Sequence, residues 1–284
     1  LLHDPDGVPL AQRGLAIVRR IPLDQATPAP FAASRLRVLL TGAPTDPPAP
    51  IEQERAEVMA ALETLTPRPE IIVDSHLTPM SLQRWLREGF HVWHHVGHGR
   101  NDGSLVLLDE NGDSSPLPPA QLAAMMSGSS LRLAVFSACD SGRFDESGGL
   151  IAAVSGAGVP TIVAMLRAVS AESTRIFAGE FYRALADGWN VTAAVDEGRR
   201  ALLNVNHTRP DWAIPAIYSR LADDSLLKGT APTIQTPGDI SPDEAFWKRW
   251  IAPHNQRLIH ERLATFIGRA NELEAIREGI AALQ

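Results

Sequence analysis

Short apolar runs alternate with amphipathic stretches of helical length over most of the 284-residue chain. Each run has the length of a buried strand, and the five clearest are LRVLLTG (36–42), EIIVDS (70–75), FHVWHHV (90–96), LRLAVFSA (131–138) and PTIVAML (160–166). Apolar residues at helical spacing characterise the stretches between and after them, beginning with IEQERAEVMAALETL (51–65). Because right-handed crossovers join strands that alternate with helices, we predict an α/β fold with a mostly parallel central sheet and helices on both faces.

Composition argues against several classes of function. The net charge is -7 and no stripe of Lys and Arg stands out, so we expect neither nucleic acid nor a membrane surface as a partner. The longest apolar runs are far shorter than the roughly 20 residues that a membrane span needs. Cys139 is the only cysteine, so no internal disulfide can form, and we expect a cytoplasmic location. Residue 1 is leucine, so we expect the natural start of the protein to lie upstream.

The residues that can carry chemistry follow two of the predicted strands. HVWHHVGHGR (91–100) contains His91, His94, His95 and His98. The third predicted strand runs into GHG (97–99), and the fourth into ACDSG (138–142). Sites in such sheets form where loops leave the carboxyl ends of the strands. If these two strands are neighbours, His98 and Cys139 lie on adjacent loops at the same edge of the sheet.

A metal site is one hypothesis for the four histidines. The geometry that would serve zinc is a helical pair such as His94 and His98, but the surrounding residues favour a strand, on which His94 and His95 face opposite sides. Neither a Cys-x-x-Cys nor an HExxH motif accompanies them, so we expect no metal. The glycines nearby form no phosphate-binding loop, and Ser137 and Ser141 lack the GxSxG context of a serine hydrolase.

A cysteine nucleophile with a histidine base is the other hypothesis. A thiol needs a base or a positive environment to become a thiolate near neutral pH, and an imidazole with a pKa of about 6.5 suits this task. The backbone amides of Gly99 and Cys139 are the expected oxyanion donors, because glycine lets the backbone approach a substrate carbonyl. The alternative is that Cys139 packs in the core and His98 is a surface residue.

At these residues the sequence resembles CHAT-domain proteins, which are caspase-like cysteine peptidases of the separase-related group. HHVGHG is similar to the histidine segment of that family and LAVFSACDSG to its nucleophile segment. The resemblance continues in order through GVPTIVAMLRAVSAESTRIFAGEFYRALADG, VTAAVDEGRRAL and DWAIPAIY, and covers roughly residues 10–220. It implies a caspase-hemoglobinase-like fold and acyl transfer without a cofactor.

The resemblance also assigns roles to residues. It makes Cys139 the nucleophile and His98 the general base of a dyad, while His94 and His95 are structural. Many relatives prefer a basic substrate residue and place an acid near the cysteine. Asp140 is the first candidate for that acid and Asp102 the second, with Asp145 and Glu146 also in range, and the alternative is that all four are solvated loop residues.

The resemblance further implies a larger protein. Residues 1–221 form the expected peptidase domain and residues 222–260 a linker. Residues 261–284, with FIGRANELEAI, resemble the opening segment of STAND or AAA-type NTPases and are expected to be a truncated NTPase module. The resulting hypothesis is a regulated endopeptidase, with protein or peptide substrates and a C-terminal NTPase or sensor module as partner, in bacterial defence or signalling. A catalytically silent interaction module is the alternative.

Overall fold

A computed structural model describes residues 18–19, 33–44, 51–138, 141–142, 149–206, 208–221 and 224–227. These residues all belong to one compact unit, Ala16–Pro232. Cys139, Asp140, Asp145 and Glu146 lie outside the described residues, as do the predicted NTPase segment and most of the predicted linker.

Within the described residues, nine strands and six α-helices follow one another in an order close to the predicted one. The strands are β1 (Val18–Arg19), β2 (Arg37–Gly42), β3 (Glu70–Asp74), β4 (Val92–Gly99), β5 (Leu105–Leu108), β6 (Ser114–Leu117), β7 (Leu133–Ala138), β8 (Thr161–Met165) and β9 (Pro215–Ser219). The helices are α1 (Ile51–Leu62), α2 (Pro79–Leu86), α3 (Pro119–Met126), α4 (Leu150–Gly156), α5 (Ala171–Ala186) and α6 (Val191–Val205), with a 3-10 helix at Pro210–Ala213.

The central sheet has the strand order β1-β9-β8-β7-β4-β2-β3. Its neighbours are parallel except for β9, which runs antiparallel to β8. The hairpin β5–β6 leaves this path and is attached to the end of β4. The predicted mostly parallel α/β sheet is therefore confirmed.

Helices cover both faces of the sheet. On one face α5 packs against α1 and α6, and on the other α3 packs against α2 and α4. Between the sheet and the layer formed by α2, α3 and α4, Trp93 and Phe136 are buried in one apolar cluster with Leu82, Leu122 and Val154. None of the described helices combines the length and the apolarity that a membrane crossing requires.

Strand β4 extends further than the sequence predicts. The expected strand ends at residue 96 with His98 in the following loop, but the observed strand continues to Gly99. The physical reason is a second partner: where β2 ends, β5 pairs with β4 antiparallel, with His98 opposite Val106 and Gly99 opposite Leu105. His98 is therefore a strand residue, and the prediction that it lies in a loop is wrong.

Candidate active site

Strands β4 and β7 are direct neighbours, which brings the two predicted motifs to one edge of the sheet. They pair in parallel from Val92 opposite Leu133 to Gly97 opposite Ala138. His98 is the next residue after Gly97, and Cys139 is the next residue of the chain after Ala138. The two strands are therefore adjacent, as the prediction required.

His98 lies at the carboxyl end of β4 and is only partly buried. Residues two apart on a strand share a face, so its side chain leaves the sheet on the same side as His94 and Val96. This is the face that α1 and α5 cover, because His94 contacts a residue of each of these helices. The histidine that the sequence selected is therefore the more exposed of the two on this face, since His94 is buried.

Strand β5 lies on the β2 side of β4, opposite to β7. The N–H of Leu108 in β5 donates to the carbonyl of Leu77 (3.0 Å), and the N–H of Leu77 donates to the carbonyl of Gly42 at the end of β2 (3.0 Å). Beyond the end of β2, strand β5 therefore takes its place beside β4. The opposite edge of β4 faces β7.

The backbone of Gly99 points to that other edge. The N–H of Arg100 donates to the carbonyl of Ser104 (2.9 Å), which makes these two residues a hydrogen-bonded pair. Facing pairs in an antiparallel ladder alternate between hydrogen-bonded and non-hydrogen-bonded, so Gly99 and Leu105 form a non-hydrogen-bonded pair. The N–H of Gly99 is therefore directed away from β5 and toward the side of β7, where the nucleophile segment follows Ala138.

Both ends of the nucleophile segment are held by hydrogen bonds. The N–H of Ser141 donates to the carbonyl of Ala138 (3.2 Å), across the two residues that the sequence places between them. The N–H of Gly142 donates to the carbonyl of Met165 in β8 (2.7 Å). Cys139 and Asp140, the predicted nucleophile and the favoured specificity acid, lie outside the described residues, but the residues on each side of them are fixed to the sheet.

His94 belongs to a buried polar network that the sequence did not predict. Its Nε2 lies 3.1 Å from Oε1 of Glu54 in α1, and its Nδ1 lies 3.1 Å from the hydroxyl of Tyr182 in α5. All three residues are at most 1% exposed, and the second carboxylate oxygen of Glu54 has no hydrogen-bond partner. Burial and the charge of Glu54 raise the pKa of Tyr182 well above its usual value. Glu54 lies three residues after Ile51 and four before Val58, so helical spacing places it on the buried face of α1. Its partner in β4 explains why a carboxylate is found there.

His95 points to the opposite face, as the strand period predicts. Its Nδ1 lies 3.0 Å from the hydroxyl of Thr41, which also accepts a hydrogen bond from the indole N–H of Trp93 (2.9 Å). The other ring nitrogen, Nε2, is buried without a partner and lies against Gly97, where a Cβ atom would come within 2.7 Å of it. Burial, with the nearby His94 and His98, lowers the pKa of His95 to about 3.

The four histidines thus occupy separate environments. His91 precedes β4, and its Nδ1 accepts a hydrogen bond from the N–H of Arg37 (3.2 Å), while burial lowers its pKa. Within the described part of the chain, no three His, Cys, Asp or Glu side chains converge as metal ligands would.

Asp102 lies in the turn that joins β4 to β5, four residues after His98. Its carboxylate accepts a hydrogen bond from the N–H of Ser104 (2.9 Å), and this bond lowers the pKa of Asp102. Nε of Arg100 lies 3.7 Å from Oδ2 of Asp102, and the Asp102 side chain is 60% exposed. The residue is therefore accessible to solvent at the same end of β4 as His98.

Comparison with known proteins agrees with this architecture. A sequence profile of the CHAT domain matches residues 1–247. Among solved structures, the Arg-specific cysteine proteinase gingipain R of Porphyromonas gingivalis aligns with a TM-score of 0.51 and 17% identity over 67% of this chain and 47% of its own. A structure described as a protease gives a TM-score of 0.51 and 15% identity over 70% of this chain and 49% of its own.

The Saccharomyces cerevisiae separase–securin complex aligns more weakly, with a TM-score of 0.44 and 14% identity over 65% of this chain and 12% of its own. The chain spans about half the length of the gingipain and protease structures, at 47% and 49%. At these identities the likeness concerns the fold, and it confirms the predicted caspase-hemoglobinase-like architecture. The comparison with curated proteins gives no match.

Proposed function

Because the chain belongs to the CHAT-domain family, we propose that it is a cysteine endopeptidase with Cys139 as nucleophile and His98 as general base. The register of β4 and β7, in which Gly97 faces Ala138, is the main support for this proposal. In each strand the next residue of the chain is the proposed catalytic one. Adjacent parallel strands are about 4.8 Å apart, so their ends can present a thiol and an imidazole to the same substrate bond.

The proposed reaction is acyl transfer in two steps. The Cys139 thiolate attacks the peptide carbonyl carbon, the imidazolium of His98 protonates the leaving amine, and the C–N bond breaks to leave a thioester. His98 then takes a proton from water, whose oxygen attacks the thioester and releases the new carboxyl group and the thiol. The N–H groups of Gly99 and Cys139 are the proposed oxyanion donors, and the orientation of the Gly99 amide toward β7 supports its part.

Substrate preference is proposed to depend on acids beside the dyad. Asp102 supports this idea because its exposed carboxylate lies in the turn just beyond His98. Asp140 is the favoured acid because it directly follows the nucleophile in the sequence. A carboxylate at either place would favour a Lys or Arg side chain in the substrate through a charge-assisted hydrogen bond.

The wider setting is proposed from the sequence. We place the peptidase in residues 1–221, a linker in residues 222–260 and the opening of an NTPase module in residues 261–284. In this proposal a C-terminal NTPase or sensor module controls the peptidase, which acts on proteins in the bacterial cytoplasm during defence or signalling. Neither nucleic acid nor membrane binding by the peptidase is part of it.

The proposal is tested by the protein termini that the full-length protein generates in cells under activating conditions. We expect new N-termini with the wild type, none above background with Cys139→Ala, and almost none with His98→Asn. His76→Asn is the matched control, because His76 is an exposed histidine outside the site, and it should give the wild-type set. Identical termini for the wild type and Cys139→Ala would defeat the peptidase proposal and favour the silent interaction module.

A further inference from the structure

The side chain of Ser141, two residues after Cys139, makes hydrogen bonds to two neighbouring strands of the central sheet. Its hydroxyl donates to the carbonyl of Phe136 in β7 (3.2 Å) and accepts from the N–H of Met165 in β8 (3.1 Å). The side chain is buried, at 3% exposure. Phe136 lies opposite Ala164 in the last pair between β7 and β8, and Met165 is the next residue of β8. The Ser141 hydroxyl thus bridges the Phe136 carbonyl of β7 and the Met165 N–H of β8, where the pairing of the two strands ends.

Gly142 continues the same attachment. The carbonyl of Met165 accepts a hydrogen bond from the N–H of Gly142 (2.7 Å). The N–H and the carbonyl of this β8 residue therefore both bind the segment that follows Cys139. The hydroxyl of Tyr218, which extends from β9, donates to the carbonyl of Gly142 (2.6 Å). A Cβ atom at position 142 would come within 3.1 Å of the Met165 backbone, so the segment lies directly on β8. We call Ser141, Gly142, Met165 and Tyr218 the β8 anchor.

A second buried serine provides the contrast. Ser137 and Ser141 each lie two residues from Cys139 in the sequence, on opposite sides of it. Ser137 is 6% exposed, yet its hydroxyl has no hydrogen-bond partner. Burial of a serine beside Cys139 therefore does not by itself produce an anchoring bond, and the bonds of Ser141 are specific to its position.

We infer that Ser141 is a positioning residue for the Cys139 thiolate, with Tyr218 as a second support. This inference rests on the proposed function and extends it to residues outside the proposed Cys139–His98 dyad. The chain leaves β7 at Ala138 and is attached again at Ser141, with only two residues between these points. Cys139 lies between these two attachment points in the sequence, so the anchor fixes the chain immediately after the proposed nucleophile, and we expect the reactivity of the thiol to depend on it.

The test measures the reactivity of Cys139 itself. Because Cys139 is the only cysteine, alkylation of the intact protein by iodoacetamide reports on this thiol alone, and its rate is recorded against pH. In the wild type we expect a rate that exceeds that of a free thiol at neutral pH and rises with an inflection below the free-thiol pKa of about 8.5. His98→Asn should move the inflection toward the free-thiol value.

Two variants remove single hydroxyl groups from the anchor. We expect Ser141→Ala to slow alkylation at neutral pH by about tenfold and to raise the inflection, since a displacement of about 1 Å at a reacting group can cost about a hundredfold in rate. Tyr218→Phe should change the profile in the same direction by about threefold, since it leaves Ser141 in place. Ser141→Thr keeps the hydroxyl and should restore most of the wild-type profile. Ser137→Ala is the matched control and should leave the profile unchanged.

The outcomes separate the two proposals. A wild-type rate equal to that of a free thiol would overturn the dyad. An activated wild type whose pH profile is unchanged in folded Ser141→Ala and Tyr218→Phe would overturn the positioning role alone. Folding is checked by near-UV circular dichroism and a thermal melt above the assay temperature. If Ser141→Ala fails this check, Tyr218→Phe against Ser137→Ala decides the question.

Discussion

At the scale of the residue, burial separates the four histidines that proximity in sequence brings together. His94 and His95 are fixed by polar partners on opposite faces of β4, and His91 by the backbone of β2. His98 stands at the end of the strand, partly exposed. The structure confirms that the strand of His98 lies beside the strand that leads to Cys139, but it places His98 in the strand and not in a loop. The catalytic role of His98 stays a prediction.

Removal of the Glu54 carboxylate should destabilise the fold. Glu54→Ala leaves the buried ring nitrogen of His94 without its partner, and an unsatisfied buried polar group costs about 1–3 kcal/mol. We expect the free energy of unfolding, measured with urea, to fall by about 2–4 kcal/mol once the lost packing is included.

Glu63→Ala is the matched control, because Glu63 makes only an exposed ion pair with Arg68 and should change stability by less than about 1 kcal/mol. If the two substitutions lowered the free energy of unfolding equally, the Glu54–His94–Tyr182 network would not stabilise the fold as expected.

At the scale of the element, the turn between β4 and β5 joins the candidate site to the helix layer. Gly103 has a positive φ of 79°, and its Cβ position is only 2.9 Å from the backbone nitrogen of Leu150 at the start of α4. The turn that follows β4 therefore packs at Gly103 directly against the first residue of α4. No local pattern in the sequence shows this contact, because the two residues are distant in the chain.

Gly103→Ala should be more disruptive than a glycine substitution in the neighbouring hairpin. Gly112 in the β5–β6 turn also has a positive φ, 87°, but nothing lies within 4 Å of its Cβ position. Gly112→Ala should therefore cost only the backbone strain of about 1–2 kcal/mol, whereas Gly103→Ala adds a clash with backbone. Urea denaturation should show a larger loss for Gly103→Ala, and equal losses would show that the turn does not pack on α4.

At the scale of the whole molecule, the buried His95 makes unfolding sensitive to acid. Its pKa is lowered from 6.5 to about 3 in the folded state, so the unfolded chain binds a proton more readily than the folded one between these values. The stability linked to His95 is fully present above pH 6.5 and decreases as the pH falls toward 3, at up to about 1.4 kcal/mol per pH unit.

This dependence is measured by urea denaturation across that pH range. His95→Gln has no titrating ring, so its unfolding free energy should fall less steeply with acid than that of the wild type. His76→Asn, at an exposed site, should keep the wild-type slope. A wild-type slope in His95→Gln would show that His95 does not titrate in this way.

Most elements and the fold class are predictable from the sequence, because the periodicity of apolar residues is a local property. It placed β2, β3, β7 and β8 within a few residues of their observed bounds and predicted that His94 and His95 face opposite sides. It predicts His98 and Cys139 as a catalytic pair, and this pairing stays a prediction. Three further facts could not be predicted from local patterns: β4 and β7 are neighbours in register, β5 extends β4 through His98, and the buried Glu54 and Ser141 meet polar partners. These facts depend on contacts between residues distant in the chain, and the free energy of burying a polar group is set by the partner that it meets there.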